Sequence, residues 1–143
     1  MLVRLMYASR ANGAVDADLL SAILKKSRTH NPPVGITGAL CLCPSSGVFM
    51  QLLEGGRGAV SQLYQRIAAD PRHRDVTLLH YGEIGERRFG MWSMGQVNMS
   101  RLNPVLLLKY SETPTLDPFT LSGATSMALF DELVATASIV GQG

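Results

Sequence analysis

A chain of 143 residues suits one domain, and at that length roughly two thirds of the unfolded surface can be buried, so a core needs no disulfide or metal staple. Hydrophobic residues make up 46% and charged residues 17%, which excludes a disordered chain. The net charge of +2 is too small to argue for nucleic acid or an anionic membrane as a partner, although the arginines concentrate between Arg57 and Arg101 and leave room for a local anion site.

The start, MLVRLMYASR, has an early charge and a short apolar run but no long apolar region with a small-residue cleavage site, so it is not read as a secretory leader. No stretch reaches the ~20 apolar residues of a membrane span, and a cytoplasmic protein without membrane association is expected. Leu2 to Ser9 alternates and reads as a strand. Val15, Leu19, Ile23 and Ser27 recur every four residues with Leu20 and Leu24 beside them, an amphipathic helix with Asp16 as its N-cap, ended by Pro32 and Pro33. GITGALCLC is a strand rich in small residues. Its Cys41 and Cys43 share a face and are too constrained for an ordinary disulfide, so two free, buried thiols in a reducing compartment are expected. PSSG is a turn and VFMQLLEG the second arm of a hairpin. Val60, Leu63, Tyr64 and Ile67 give a second amphipathic helix, stopped near DPRH. VTLLHYGEI and GMWSMGQVNM are two further strands joined by GERRF.

The order βαββαββ predicts an α+β fold, a ferredoxin-like plait with two helices on one face of a mixed sheet. In the hairpin arm Phe49, Gln51 and Leu53 lie on one face and Val48, Met50 and Leu52 on the other, so both faces need cover. The two helices supply one. PVLLLKY and SMALFDELVATA, separated by the turn SETPTLDP, have helical spacing and predict a C-terminal helical cap on the opposite sheet face. The chain divides into residues 1–100 for the plait and 101–143 for the cap.

Several polar residues occupy odd places. Tyr7 falls in the core pattern of the first strand, and Gln51 interrupts an otherwise apolar central strand. An unpaired buried amide costs about 1–3 kcal/mol, so the ordinary reading of Gln51 is a core glutamine bonded to Tyr7. Trp92 and Met94 share one face of the last predicted strand. His30 and Asn31 can cap the first helix, as can Ser27 and Arg28; Arg66 can be a surface arginine, Asp70 and His73 can end the second helix, and Ile23 and Ile67 can be plain core. G-x-S-x-G, phosphate-loop and H-E-x-x-H patterns are missing, LEGGRG lacks the Lys-Ser/Thr of a phosphate loop, and no metal-ligand spacing is present. Two rival readings of the plait are a small acylphosphatase-like hydrolase, which needs a phosphate-cradling loop where ASRANGAV stands, and an RNA-binding plait, which needs exposed sheet aromatics where Met50 and Leu52 stand.

RLMYASRA, SRTHNPPVGITGAL, GVFMQLLEGG, LYQRIAADPRH and RRFGMWSMGQV, in this order and spacing, resemble the BLUF family of blue-light sensors using FAD, from about residue 2 to residue 98. The resemblance implies a flavin-binding domain over residues 1–100; the tail beyond 100 does not carry the family signature, and its apolar residues, more than one sheet face needs, predict a cap that also serves as the output segment. The resemblance implies FAD between the two helices, with Ile23 and Ile67 flanking the ring and Asn31 and His30 at its polar edge. Arg66 would lie near the phosphate-bearing tail, and Ser27, Arg28, Phe49, Gln51, Asp70 and His73 would complete the cofactor-binding set. It further implies that Tyr7 and Gln51 are the photochemical pair: light drives electron and proton transfer from the tyrosine, and the glutamine is left rotated or tautomerised. Either Trp92 or Met94 would fill the space beside Gln51. Nothing would be turned over. Because no cyclase or phosphodiesterase sequence is present, output is expected through a downstream signalling protein, and the chain is expected to self-associate as a dimer or larger ring.

Overall fold

The computed structural model describes residues 1–99, 102–136 and 139–140. The alternating first segment forms β1 (Leu2–Ala11). Helix α1 (Ala17–His30) begins where Asp16 Oδ1 accepts the Leu19 amide at 2.8 Å, the expected N-cap. A single 3₁₀ turn over Pro32–Val34 follows, and Gly35, at φ 71°, redirects the chain into β2 (Thr37–Cys43). Then come β3 (Val48–Gly56), α2 (Arg57–Ala68) and β4 (His73–Ile84).

The strand order is β4-β1-β3-β2, the plait order, with β5 (Gly95–Val97) added beside β2 and β6 (Ile139–Val140) beyond it. Register places Tyr7 opposite Gln51, Leu40 opposite Gln51 on the other side, and Arg4 opposite Glu54. Gly38 is required by the β2–β3 approach: a Cβ there would meet the Leu52 carbonyl oxygen at 2.0 Å. The fold is α+β and ferredoxin-like, as expected.

The end of the plait departs from the sequence expectation. The last strand is three residues long rather than spanning GMWSMGQVNM, and it runs parallel to β2 through Ala39–Gly95, Leu40–Gln96 and Cys41–Val97. β4 and β5 therefore lie on opposite sides of the three central strands, and the chain between them crosses the end of the sheet. That crossing is stapled by side chains. Glu54, 0% exposed on β3, takes Arg4 Nη2 at 2.7 Å, the Phe89 amide at 2.7 Å and the Arg88 amide at 3.1 Å.

The two sheet faces carry separate cores. Val3, Leu5, Leu40, Phe49 and Leu53 pack under α1 and α2. Met6, Ala39, Met50 and Leu52 pack under the C-terminal segment, which contributes Leu107, Leu116, Leu129, Phe130 and Leu133. This segment holds the one-turn helix α3 (Val105–Leu108) and the longer α4 (Gly123–Thr136). The C-terminal segment thus covers the face opposite α1 and α2. PVLLLKY makes only one helical turn, and it leaves Val105 and Leu108 exposed. Cys41 is buried and Cys43, at the strand end, only half-buried; both are free. Burial pushes the Cys41 thiol up to about 12. Among the described residues no helix is long and apolar enough to cross a membrane.

Candidate functional site

Between α1 and α2, above the middle of β1, β2 and β3, lies a cavity of about 350 Å³. Ile23 from α1 and Leu63 and Ile67 from α2 make its aliphatic walls, and Leu40, Phe49, Tyr7 and Gln51 its floor. Ser27, His30 and Asn31 form one polar edge at the end of α1. Arg66, Asp70 and His73 reach it from the other side. All of these except Leu40 and Leu63 were singled out from the sequence as site residues, and they converge on one space.

At its floor is a hydrogen-bonded chain. Tyr7 Oη donates to Gln51 Oε1 at 2.5 Å, and Gln51 Nε2 donates to Met94 Sδ at 3.3 Å. Burial, reinforced by the charges of Tyr64 and Asp70, raises the Tyr7 phenol far above its ordinary value, so it holds its proton. The Tyr64 ring lies 5.7 Å from that of Tyr7. His73 ties the floor to α2. Its Nε2 faces the Ile67 carbonyl and so carries the hydrogen, which leaves Nδ1 to accept from Ser9 Oγ at 2.8 Å in the neutral ring. The same ring stands edge-on to Tyr7 and Phe49.

The mouth of the cavity is cationic. Lys26, Arg66 and Arg72 gather there with Asp70. Arg72 grips Asp70 through Nε at 3.0 Å and Nη2 at 2.6 Å, and these bonds lower the Asp70 carboxyl to about 2. Arg72 is thereby largely neutralised. Lys26 and Arg66 have no carboxylate partner among the described residues. An apolar slot with a hydrogen-bonding floor and unpaired cations at its mouth fits a flat aromatic ring carrying an anionic tail, which is the shape and charge of FAD.

Arg28 and Trp92 lie away from the cavity, and Trp92 and Met94 part company. Arg28 does not line the cavity; it turns away from it, and Nη2 donates to the Met94 carbonyl at 3.2 Å. Trp92 and Met94 do not share a face. Parity fails because the strand begins only at Gly95, so Met94 is fully buried on the helix side while Trp92 packs on the cap side against Phe89, 6.2 Å between centroids. Met94 is the one beside Gln51. Sequence reading missed Lys26 and Arg72. Lys26 is four residues before His30, hence on its helical face, and Arg72 is two residues beyond Asp70.

A family model described as sensors of blue-light using FAD matches residues 2–95. The chain belongs to the BLUF family. The solved structure of BlsA in its photo-activated state is similar at a TM-score of 0.80 and 33% identity, covering 96% of this chain and 99% of that one. BlrB, a BLUF protein in its dark state, is similar at 0.77 and 34%, over 94% and 95% of the two chains. Photoactivated adenylate cyclase subunit beta of Euglena gracilis is 42% identical over 86 residues, 60% of this chain but 10% of that protein. This chain therefore spans about a tenth of the length of the curated relatives it matches. As a BLUF protein it is a blue-light sensor that uses FAD.

Proposed function

We propose that the α1–α2 slot holds the flavin ring, that Lys26 and Arg66 hold its phosphates, and that Tyr7 and Gln51 carry the photochemistry. The observation that supports this most is the 2.5 Å Tyr7–Gln51 hydrogen bond on the floor of an apolar slot. When bound, FAD absorbs blue light and becomes an acceptor for one electron and one proton. Tyr7 is the side chain placed to supply both, and Gln51 Oε1 is the first station for the proton. An amide has an acceptor and two donors, so a half-turn of Gln51 would present Nε2 to Tyr7 Oη and withdraw the donor from Met94 Sδ. Asn31 spends Nδ2 on the Ser93 carbonyl at 2.9 Å, which leaves Oδ1 to accept from the ring's imide.

The C-terminal segment is proposed as the output element. The crossing chain that carries Trp92 reaches α4 through Phe89 against Phe130, 6.0 Å between centroids, and Arg88 to Asp131 at 2.5 Å. A downstream signalling protein would be engaged by contact rather than by turnover, with self-association through the exposed Val105 and Leu108 as a second possibility to be read in the same samples. The free thiols of Cys41 and Cys43 support a reducing, cytoplasmic setting.

The test is direct. The purified chain, loaded with FAD, should show a reversible red shift of its absorption after blue light. Tyr7→Phe and Gln51→Ala should retain the flavin and lose the shift. A chain that cannot be loaded sinks the slot assignment, and a normal photocycle in either variant sinks the roles of the pair.

A further inference from the structure

Three successive carbonyls, those of Trp92, Ser93 and Met94, are held by three different donors. The Gly38 amide of β2 donates to Trp92 at 3.0 Å, Asn31 Nδ2 to Ser93 at 2.9 Å and Arg28 Nη2 to Met94 at 3.2 Å. Only the first is backbone. The strand ladder begins at Gly95, so the inward position of Met94 depends on two side chains from the end of α1. Met94 is 0% exposed there, with its sulfur accepting from Gln51. At the same junction two polar atoms, Arg28 Nε and Ser93 Oγ, are buried without a hydrogen-bond partner among the described residues. Buried polar groups are nearly always paired, and these two lie unpaired on either side of one junction.

We propose that Arg28 is a positioning residue that latches Met94 inward against Gln51, and that the latch has a second setting in which Arg28 Nε–H donates to Ser93 Oγ and Met94 leaves Gln51. This rests on the reading of Gln51 as the residue whose hydrogen bonds change. A turned amide no longer donates to Met94 Sδ, and the Arg28 contact is then what remains to keep Met94 in place. Arg28 acts on the backbone of the Met94 segment and has no part in binding the cofactor. Trp92 is held apart from this latch, by the Gly38 amide on its carbonyl, by its own amide on the Phe89 carbonyl at 3.4 Å and by its ring against Phe89.

Methionine oxidation by hydrogen peroxide, followed by mass spectrometry in the dark, reads the latch. It is measured on the full chain as purified and again after flavin removal. Met91, three residues away and 89% exposed, reports full reactivity in every sample. Because a closed site reacts only through local opening, Met94 should oxidise at least about tenfold more slowly than Met91 in the unaltered chain. Arg28→Ala should bring the two within about threefold, with flavin content and dark absorption unchanged. Arg28→Lys, which keeps the charge and lacks Nε, should fall between and serves if the alanine variant does not fold. Unchanged Met94 protection in either folded variant overturns the latch, as does loss of flavin with protection retained. The two readings fail separately: release of Met94 by Arg28→Ala with and without flavin leaves the latch standing even if the FAD-loaded Tyr7→Phe and Gln51→Ala variants keep a normal red shift, which would sink the photochemical roles alone.

Discussion

Tyr7 and Gln51 were legible because each is a polar residue in a strand that has no other reason to hold one, and their cross-strand register brings them together. Arg28 was not legible. An arginine in the last turn of a helix can swing to either side, and only the path of a distant segment decides which carbonyl it meets. Asp70 and Arg72 make a separate point about pH. The Arg72 bonds depress the folded-state Asp70 value to about 2 from 3.8. A depressed carboxyl contributes stability that is complete above its unfolded value and is lost as pH falls through the folded one. The clamp at the cavity mouth should therefore be intact above about pH 4 and fail toward pH 2. Asp70→Asn should lie below the unaltered chain in thermal melting at neutral pH and converge with it at the acid end. A constant gap between the two across that window would show that the clamp contributes nothing.

At the scale of elements, Glu54 governs how the crossing chain sits. It was read from the sequence simply as the end of a hairpin arm. An acid on a strand apolar on both faces, with Arg4 opposite in register, was the signal that could have found it. Arg4 and Glu54 have side-chain exposures of 13% and 0%. Removing one partner of a buried pair costs about 3–5 kcal/mol. Glu54→Gln should lose stability in that range by denaturant titration, and the crossing residues 87–89 should lose amide protection before the rest of the sheet. A loss below about 1 kcal/mol would reduce the contact to the worth of a surface ion pair. The long elements of the plait could be read because hydrophobic period and turn residues specify β1, α1, the hairpin, α2 and β4. The last strand could not. Period-2 spacing persists through Met91 to Val97, but Trp92, Ser93 and Met94 bond to β2 and to side chains of α1 rather than to a neighbouring strand ladder. The alternation of faces inferred for Trp92 and Met94 had no strand beneath it.

For the whole molecule, the demand of a two-faced sheet for a second cover was met as the pattern of Val48, Met50 and Leu52 required. Removing everything after Met99 would uncover Met50 and Leu52, each worth about 1.5–3 kcal/mol of burial, while the slot between α1 and α2 lies on the other face. The shortened chain should aggregate and bind a hydrophobic dye, yet still take up flavin where it remains folded. A soluble monomer with no dye binding would mean that the segment is an appendage. A last consequence lies in where β5 sits. Its parallel pairing with β2 runs through only three residues, on the far side of the sheet from β4, and joins segments separated by the whole of β3, α2 and β4. Non-local pairing of that kind comes late in folding, and short parallel pairing is the weaker sort. The corner that adjoins Met94 is thus expected to close late and to open early. Amides of Gly95–Val97 should exchange with solvent by opening of that corner alone, while those of the central β1 and β3 wait for global unfolding. If the proposed change at Gln51 is right, its motion would meet this short outer pairing and not the middle of the sheet, and the corner could reset while the central strands stay paired.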